Sequence, residues 1–114
     1  VLAKDDPEAM RLLKERDVVL DMGITSNWLL NVVKTREDHP IQYFLDRGIK
    51  CTINSDDPLL FGCNILSEYQ LCRDILKLDD VTIAQCTKAS FQYSCAPENL
   101  KIIGTRGVDE WLSR

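Results

Sequence analysis

Ile49, Cys51 and Ile53 alternate with Lys50, Thr52 and Asn54, the two-residue period of a β-strand. Gly48, just before this run, can take the left-handed conformation that closes a helix. Pro58, just after it, lacks a backbone N–H and fixes φ, so pairing must end there in a turn or a helix start. An earlier run, Val18-Val19-Leu20-Asp21-Met22, is apolar without clean alternation, as expected of a parallel strand covered on both faces. Gly23 breaks that run, and Ile24-Thr25-Ser26-Asn27 is expected to form the loop at its C-terminal end. Trp28 to Val33 fits a helical turn or an extended segment equally well, and Lys34 to Asp38 reads as a charged loop. A helix is predicted from about Pro40 to Arg47, with Ile41, Phe44 and Leu45 on one face. Strand, helix and strand together predict a βαβ unit with parallel strands and a right-handed crossover.

Helical periodicity governs the remainder. Asp6, Pro7 and Glu8 supply a capping carboxylate, a proline at the first position and acid in the first turn, so a helix runs from there to about Arg16. After Gly62, Ile65, Tyr69, Cys72 and Ile75 mark one stripe that continues to about Leu78. Glu68 beside Tyr69 is expected to be a solvated acid next to a packing residue. Asp79 or Asp80 caps a further helix to about Tyr93, and Pro97-Glu98 opens a shorter one around Leu100 to Ile103. Gly104 and Gly107 are predicted to break the tail, leaving Val108 to Leu112 as a last turn containing Trp111. No repeat, low-complexity tract or linker interrupts residues 1–114, which predicts one structural unit.

The chemistry of the chain concentrates at Asp56-Asp57-Pro58, where the strand run ends on two adjacent carboxylates. Ligands bind at the C-terminal ends of parallel strands in α/β folds. Adjacent carboxylates repel one another, so water, a helix N-terminus, a cation or a shared proton must offset the repulsion. Two readings stand side by side. Asp57 caps a helix beginning at Pro58 while Asp56 is solvated, or one carboxylate binds a metal beside another that binds substrate. Spacing does not choose between them.

Composition narrows the function classes. Of the 114 residues 45% are hydrophobic and 28% charged, an ordinary globular balance. A net charge of −4 argues against the basic surface of a nucleic-acid binder. Five cysteines without a C-x-x-C pair favour reduced thiols and a cytoplasmic setting, with Cys51 and Cys72 as buried hydrophobes. No run approaches the roughly 20 apolar residues of a membrane span. His39, the only histidine, reads as a helix-start residue, because one histidine offers no ligand partner at helical spacing. Ser26 and Asn27 read as a side-chain-stabilised turn.

The stretch Thr52-Ile53-Asn54-Ser55-Asp56-Asp57-Pro58-Leu59-Leu60-Phe61-Gly62 resembles the last barrel-strand motif of the adenosine/adenine/AMP deaminase family. Thr25-Ser26-Asn27, Glu37-Asp38-His39-Pro40, Ile65-Leu66-Ser67-Glu68-Tyr69 and Lys88-Ala89-Ser90-Phe91 flank it in the family's order, so the resemblance covers about Asp6 to Pro97. Where family members usually carry Glu and then Cys-Pro before Thr-Ser-Asn, this chain has Asp21, Gly23 and Ile24.

The resemblance implies an α/β fold, the C-terminal portion of a (β/α)₈ barrel, comprising its last two strands with flanking and C-terminal helices. A whole barrel needs about 250 residues, so the chain is expected to be a fragment that needs the remainder of the barrel for a complete site. It further implies Zn²⁺-dependent hydrolytic deamination of a small-molecule purine. Leu59-Leu60-Phe61 favours adenosine, giving inosine and ammonia, over adenine or AMP. Asp56 would be the metal-ligand carboxylate with a catalytic part in orienting the attacking water, and Asp57 would bind the purine ring. The family's metal histidines and catalytic Glu lie in earlier strands, so this chain alone is expected to be inactive. Outside the active-enzyme reading stand a non-catalytic interaction module, in which Asp-Asp-Pro is only a helix cap, and a catalytically dead homologue.

Overall fold

The computed structural model describes residues 1–114. A 3-10 turn, Leu2–Asp5, leads into α1 (Pro7–Glu15), β1 (Leu20–Met22), α2 (Ile24–Leu29), α3 (Ile41–Asp46) and β2 (Cys51–Ile53). Then follow α4 (Pro58–Phe61), α5 (Ile65–Asp74), α6 (Asp80–Gln92) and α7 (Glu98–Leu112). The α/β architecture and the parallel strands are as expected. Leu20 pairs with Cys51, Asp21 with Thr52 and Met22 with Ile53. Each strand has one outer edge without a strand partner.

Both strands are shorter than their apolar runs. The reason lies in what Val18 does: its N–H bonds to Leu13 O at the end of α1, and Asp17 before it is left-handed (φ 51°). The ladder opens only with Leu20 N donating to Lys50 O and closes with Asn54 N donating to Met22 O. All three β2 residues are buried, so this strand is covered on both faces as a parallel strand should be.

Helix boundaries follow their capping chemistry. Asp6 accepts from the N–H groups of Glu8 and Ala9, and Asp79 from that of Thr82. Asn64 and Ser67 form a reciprocal capping box at the start of α5. Gly48 (φ 75°) closes α3, with Ile49 N reaching back to Phe44 O. The stripe expected to continue to Leu78 stops as helix at Asp74. Lys77 is left-handed there, and Leu78 N turns back to Cys72 O, burying Leu78.

Two expectations are corrected. Ile24 to Asn27 is not a loop but the first turns of α2, which ends within the ambiguous stretch; Val32 and Val33 then donate back to Asn27 O. Gly104 and Gly107 do not break the tail, for α7 runs through both. Its physical reason is close approach. A Cβ on Gly104 would stand 2.4 Å from the Phe91 ring, so glycine lets α7 lie against α6.

The core is Met22, Ile24, Ile41, Phe44, Ile49, Cys51, Ile53, Cys72, Leu78, Ile83 and Cys86. Burial pushes the thiols of Cys51 and Cys72 up to about 12, so they remain protonated and behave as the small hydrophobes their spacing predicts. No helix is long and apolar enough to cross a membrane.

The two tail glycines give a prediction of opposite sign. Gly104→Ala should destabilise by about 1–3 kcal/mol through overpacking against Phe91. Gly107→Ala, where an added Cβ meets nothing within 4 Å, should stabilise by about 0.5–1 kcal/mol through helix propensity. Urea melts of the two variants check the pair.

Candidate active site

Because β1 and β2 are parallel, their C-terminal ends lie side by side. β1 passes through Gly23 into α2, and β2 passes through Asn54 to Asp57 into α4. At Gly23 an added Cβ would stand 3.5 Å from Asp56 Cβ, so the two strand ends are in van der Waals reach.

Asp57 caps α4: its Oδ1 accepts from Leu60 N at 3.2 Å, and Pro58 occupies the first helical position. That leaves Oδ2 free of the fold. Asp56 is different. It is exposed, its backbone is left-handed (φ 55°), and its carboxylate takes part in no hydrogen bond or ion pair of the chain. Its own N–H donates to Asn54 Oδ1 at 2.7 Å. Asn54 Nδ2 in turn donates to Asp21 Oδ2, and Thr52 Oγ1 donates to Asp21 Oδ1 at 2.6 Å. Sequence reasoning gave Asp21 no role.

Glu68 overturns the solvated-acid reading. The residue is 1% exposed, and its Oε2 accepts from Ile24 N at 3.0 Å and Thr25 N at 3.1 Å. Thr25 Oγ1 donates to Oε1. A carboxylate from α5 thus serves the N-terminus of α2, where Gly23 has no side chain to cap with. The signal was present in the spacing. Glu68 lies three residues after Ile65 and four before Cys72, on the apolar stripe itself.

His39 stands next to Pro40, the N-cap of α3, as a helix-start residue should, and it is buried there, 5% exposed. Asn27 Nδ2 lies 3.0 Å from its Nε2; an amide nitrogen can only donate, so Nε2 accepts and the proton sits on Nδ1. That nitrogen has no partner, and burial pulls the imidazole down to about 4. Asn27 therefore ties α2 to the start of α3 beyond a local turn, and Ser26 Oγ closes onto Gly23 O at 3.2 Å.

The adenosine deaminase family model matches residues 1–111. The chain belongs to this family. Among its relatives, a "putative adenosine/adenine deaminase" of Streptomyces coelicolor is 33% identical over 98% of this chain and 33% of its own length. An adenosine deaminase of Aliivibrio fischeri is 31% identical over 96% of the chain and 28% of its own length. The crystal structure of an adenine deaminase from Arthrobacter aurescens superposes with a TM-score of 0.93 at 26% identity, covering 96% of this chain and 34% of that one. The N6-methyl-AMP deaminase of Arabidopsis thaliana shares the fold, with a TM-score of 0.80 at 18% identity over 92% of this chain and 31% of that one. The chain spans about a third of the length of these deaminases, and its α/β structure is part of a deaminase barrel.

Deaminases of this family are generally metal-dependent, and the donor set here can be tested against that. No group of three or more His, Cys, Asp or Glu side chains gathers anywhere in the chain. At the strand ends, Asp56 presents a carboxylate unclaimed by the fold on a left-handed backbone. Cys63 is near but is not a ligand in waiting. Burial, then the carboxylates of Glu68 and Asp56, push its thiol up, and its Sγ donates to Ser55 O at 3.3 Å. The donors present in this chain fall short of the about four that a closed zinc site needs.

Two predictions rest on these buried groups. Glu68→Ala strands the N–H groups of Ile24 and Thr25, so a loss on the order of 3 kcal/mol is expected in urea melts. Glu68→Gln keeps an acceptor for them and should lose less. For His39, an imidazole held at about 4 against 6.5 when unfolded favours the native state fully above pH 6.5. That contribution drains as pH falls from 6.5 to 4, by roughly 3 kcal/mol in all. Stability measured against pH should fall through this window in the wild type, and His39→Gln should flatten the fall.

Proposed function

We propose that the whole protein hydrolyses the exocyclic C6 amino group of a purine, adenosine first, releasing inosine and ammonia, with Zn²⁺ as its cofactor. In this reading the chain is a single unit, the C-terminal part of the barrel domain, and the remaining strands contribute the other metal ligands and the proton-handling acid. A cytoplasmic setting belongs to the same reading, with its five cysteines free. Adenine and AMP are the alternative substrates.

The observation that supports it is the unequal use of two neighbouring carboxylates at one strand end. Asp57 has one oxygen in a helix cap and one left over, while Asp56 has both left over and a backbone held in the left-handed region. A fold that needed only a cap would need only Asp57. Bound zinc supplies Lewis acidity, lowering the pKa of a water from 15.7 toward about 7. Asp56, with its free carboxylate, would be the residue of this chain that holds the cation and helps orient the attacking water. Asp57, through Oδ2, would bind the ring nitrogen on the five-membered side of the purine by way of a proton carried between these two acceptors, and so orient the base.

The test replaces each aspartate in the full-length protein. Asp56→Asn should lose zinc and most of kcat, since a neutral amide is a poorer ligand than a carboxylate. Asp57→Asn should keep its zinc and its cap, because the amide oxygen still accepts from Leu60 N. It should lose on the order of 2–3 kcal/mol in kcat/KM with the charge-assisted hydrogen bond. Elemental analysis beside steady-state kinetics reads both. Full zinc and normal kinetics in both variants would reduce the pair to a helix cap.

A further inference from the structure

We infer that Asp21, on the neighbouring strand, is a positioning residue for Asp56, acting through the side-chain amide of Asn54. The inference deepens the proposed function and rests on its assignment of Asp56.

Start from the register. Asp21 pairs directly with Thr52, and Asn54, two residues further along the same strand direction, projects to the same side. The carboxylate of Asp21 spans both. Its Oδ1 takes the Thr52 hydroxyl at 2.6 Å and its Oδ2 takes Asn54 Nδ2. A carboxylate can only accept, so Asp21 dictates which end of the Asn54 amide faces it. The nitrogen must turn toward Asp21, and the oxygen is thereby turned toward Asp56, whose N–H it accepts at 2.7 Å.

That last bond closes a short side-chain turn over Ser55 and holds Asp56 at φ 55°. A left-handed backbone is a strained place for an aspartate. Released, it would relax toward negative φ and swing the Cα–Cβ bond, carrying the carboxylate away from its present direction. Gly23 completes the arrangement from the other strand. A Cβ there would meet Asp56 Cβ in ordinary contact at 3.5 Å but would collide with Ser26 Oγ at 2.5 Å. The side chain of Asp21 is taken up by Thr52 and Asn54, and the part assigned to it is to fix where Asp56 points.

The experiment uses the full-length protein with zinc and adenosine, and six variants: Asp21→Ala, Asp21→Asn, Asn54→Ala, Thr52→Val, the Asp21→Ala/Asn54→Ala double and Asp56→Asn. Asp21→Ala and Asn54→Ala should each lower kcat about 10- to 100-fold, as lost support behind a ligand does, with KM changed only a few-fold. Both should release zinc at lower chelator concentration and speed hydrogen exchange at the Asp56 amide. The double variant should be no worse than the poorer single one, because the two groups act in series. Asp21→Asn should restore most of the activity, its oxygen accepting from Asn54 and its nitrogen donating to the Thr52 hydroxyl. Thr52→Val, which leaves the Asp21–Asn54 bond in place, should stay near wild type. Should Asp21→Ala fail to fold, Asn54→Ala carries the test alone, since it removes only the loop-end link.

Normal kcat, zinc retention and Asp56 amide protection in Asp21→Ala or Asn54→Ala, while Asp56→Asn is inactive, would overturn the inference and leave the proposed function standing. Thr52→Val falling as far as Asp21→Ala would overturn it too, by making the effect one of general strand packing. An active, zinc-replete Asp56→Asn would instead remove the proposed function beneath it.

Discussion

The pairing of β1 with β2 is three residues long, and the arrangement of the site depends on its register. Leu20 against Cys51 sets Asp21 against Thr52, with Asn54 and then Asp56 just beyond. A slip of β1 by one residue would turn its side chains to the opposite face, sending Asp21 away from Asn54 and Met22 out of the core. Parallel pairing also places the two strand ends together, so that Gly23 and Asp56 meet and the helices α2 and α4 leave from neighbouring points.

Around that short ladder, polar groups hold what apolar packing leaves loose. Glu68 reaches from α5 to the start of α2, and Asn27 reaches from α2 to His39 before α3. A buried carboxylate is tolerated because three donors surround it; a buried imidazole is tolerated because it stays neutral. The two ties hold α2 at both ends. The helix that follows the first strand is thus anchored to residues before and after the second.

Much of this was legible in the chain itself. Alternation at Ile49, Cys51 and Ile53, the proline-aspartate helix starts and the buried cysteines all follow from local pattern. The Asp-Asp-Pro cap was legible too, though only the contrast between a capping Asp57 and an unclaimed Asp56 separates their roles. What escaped depends on partners far away in sequence. Glu68 meets Ile24 across 44 positions, and Asp21 meets Asn54 across 33. No window along the chain contains both ends of either bond. Gly104 escaped for the same reason: a glycine that breaks a helix and one that admits a neighbouring ring look alike until Phe91 is placed beside it.

With the role proposed for Asp56, its left-handed backbone sets folding and chemistry at odds at a single position. Glycine would adopt φ 55° at no steric cost, so a search for thermostability alone would choose glycine at 56 and delete the carboxylate along with the strain. An aspartate there makes the domain less stable than its backbone allows. Directed evolution for heat resistance would therefore need activity in the selection from the first round.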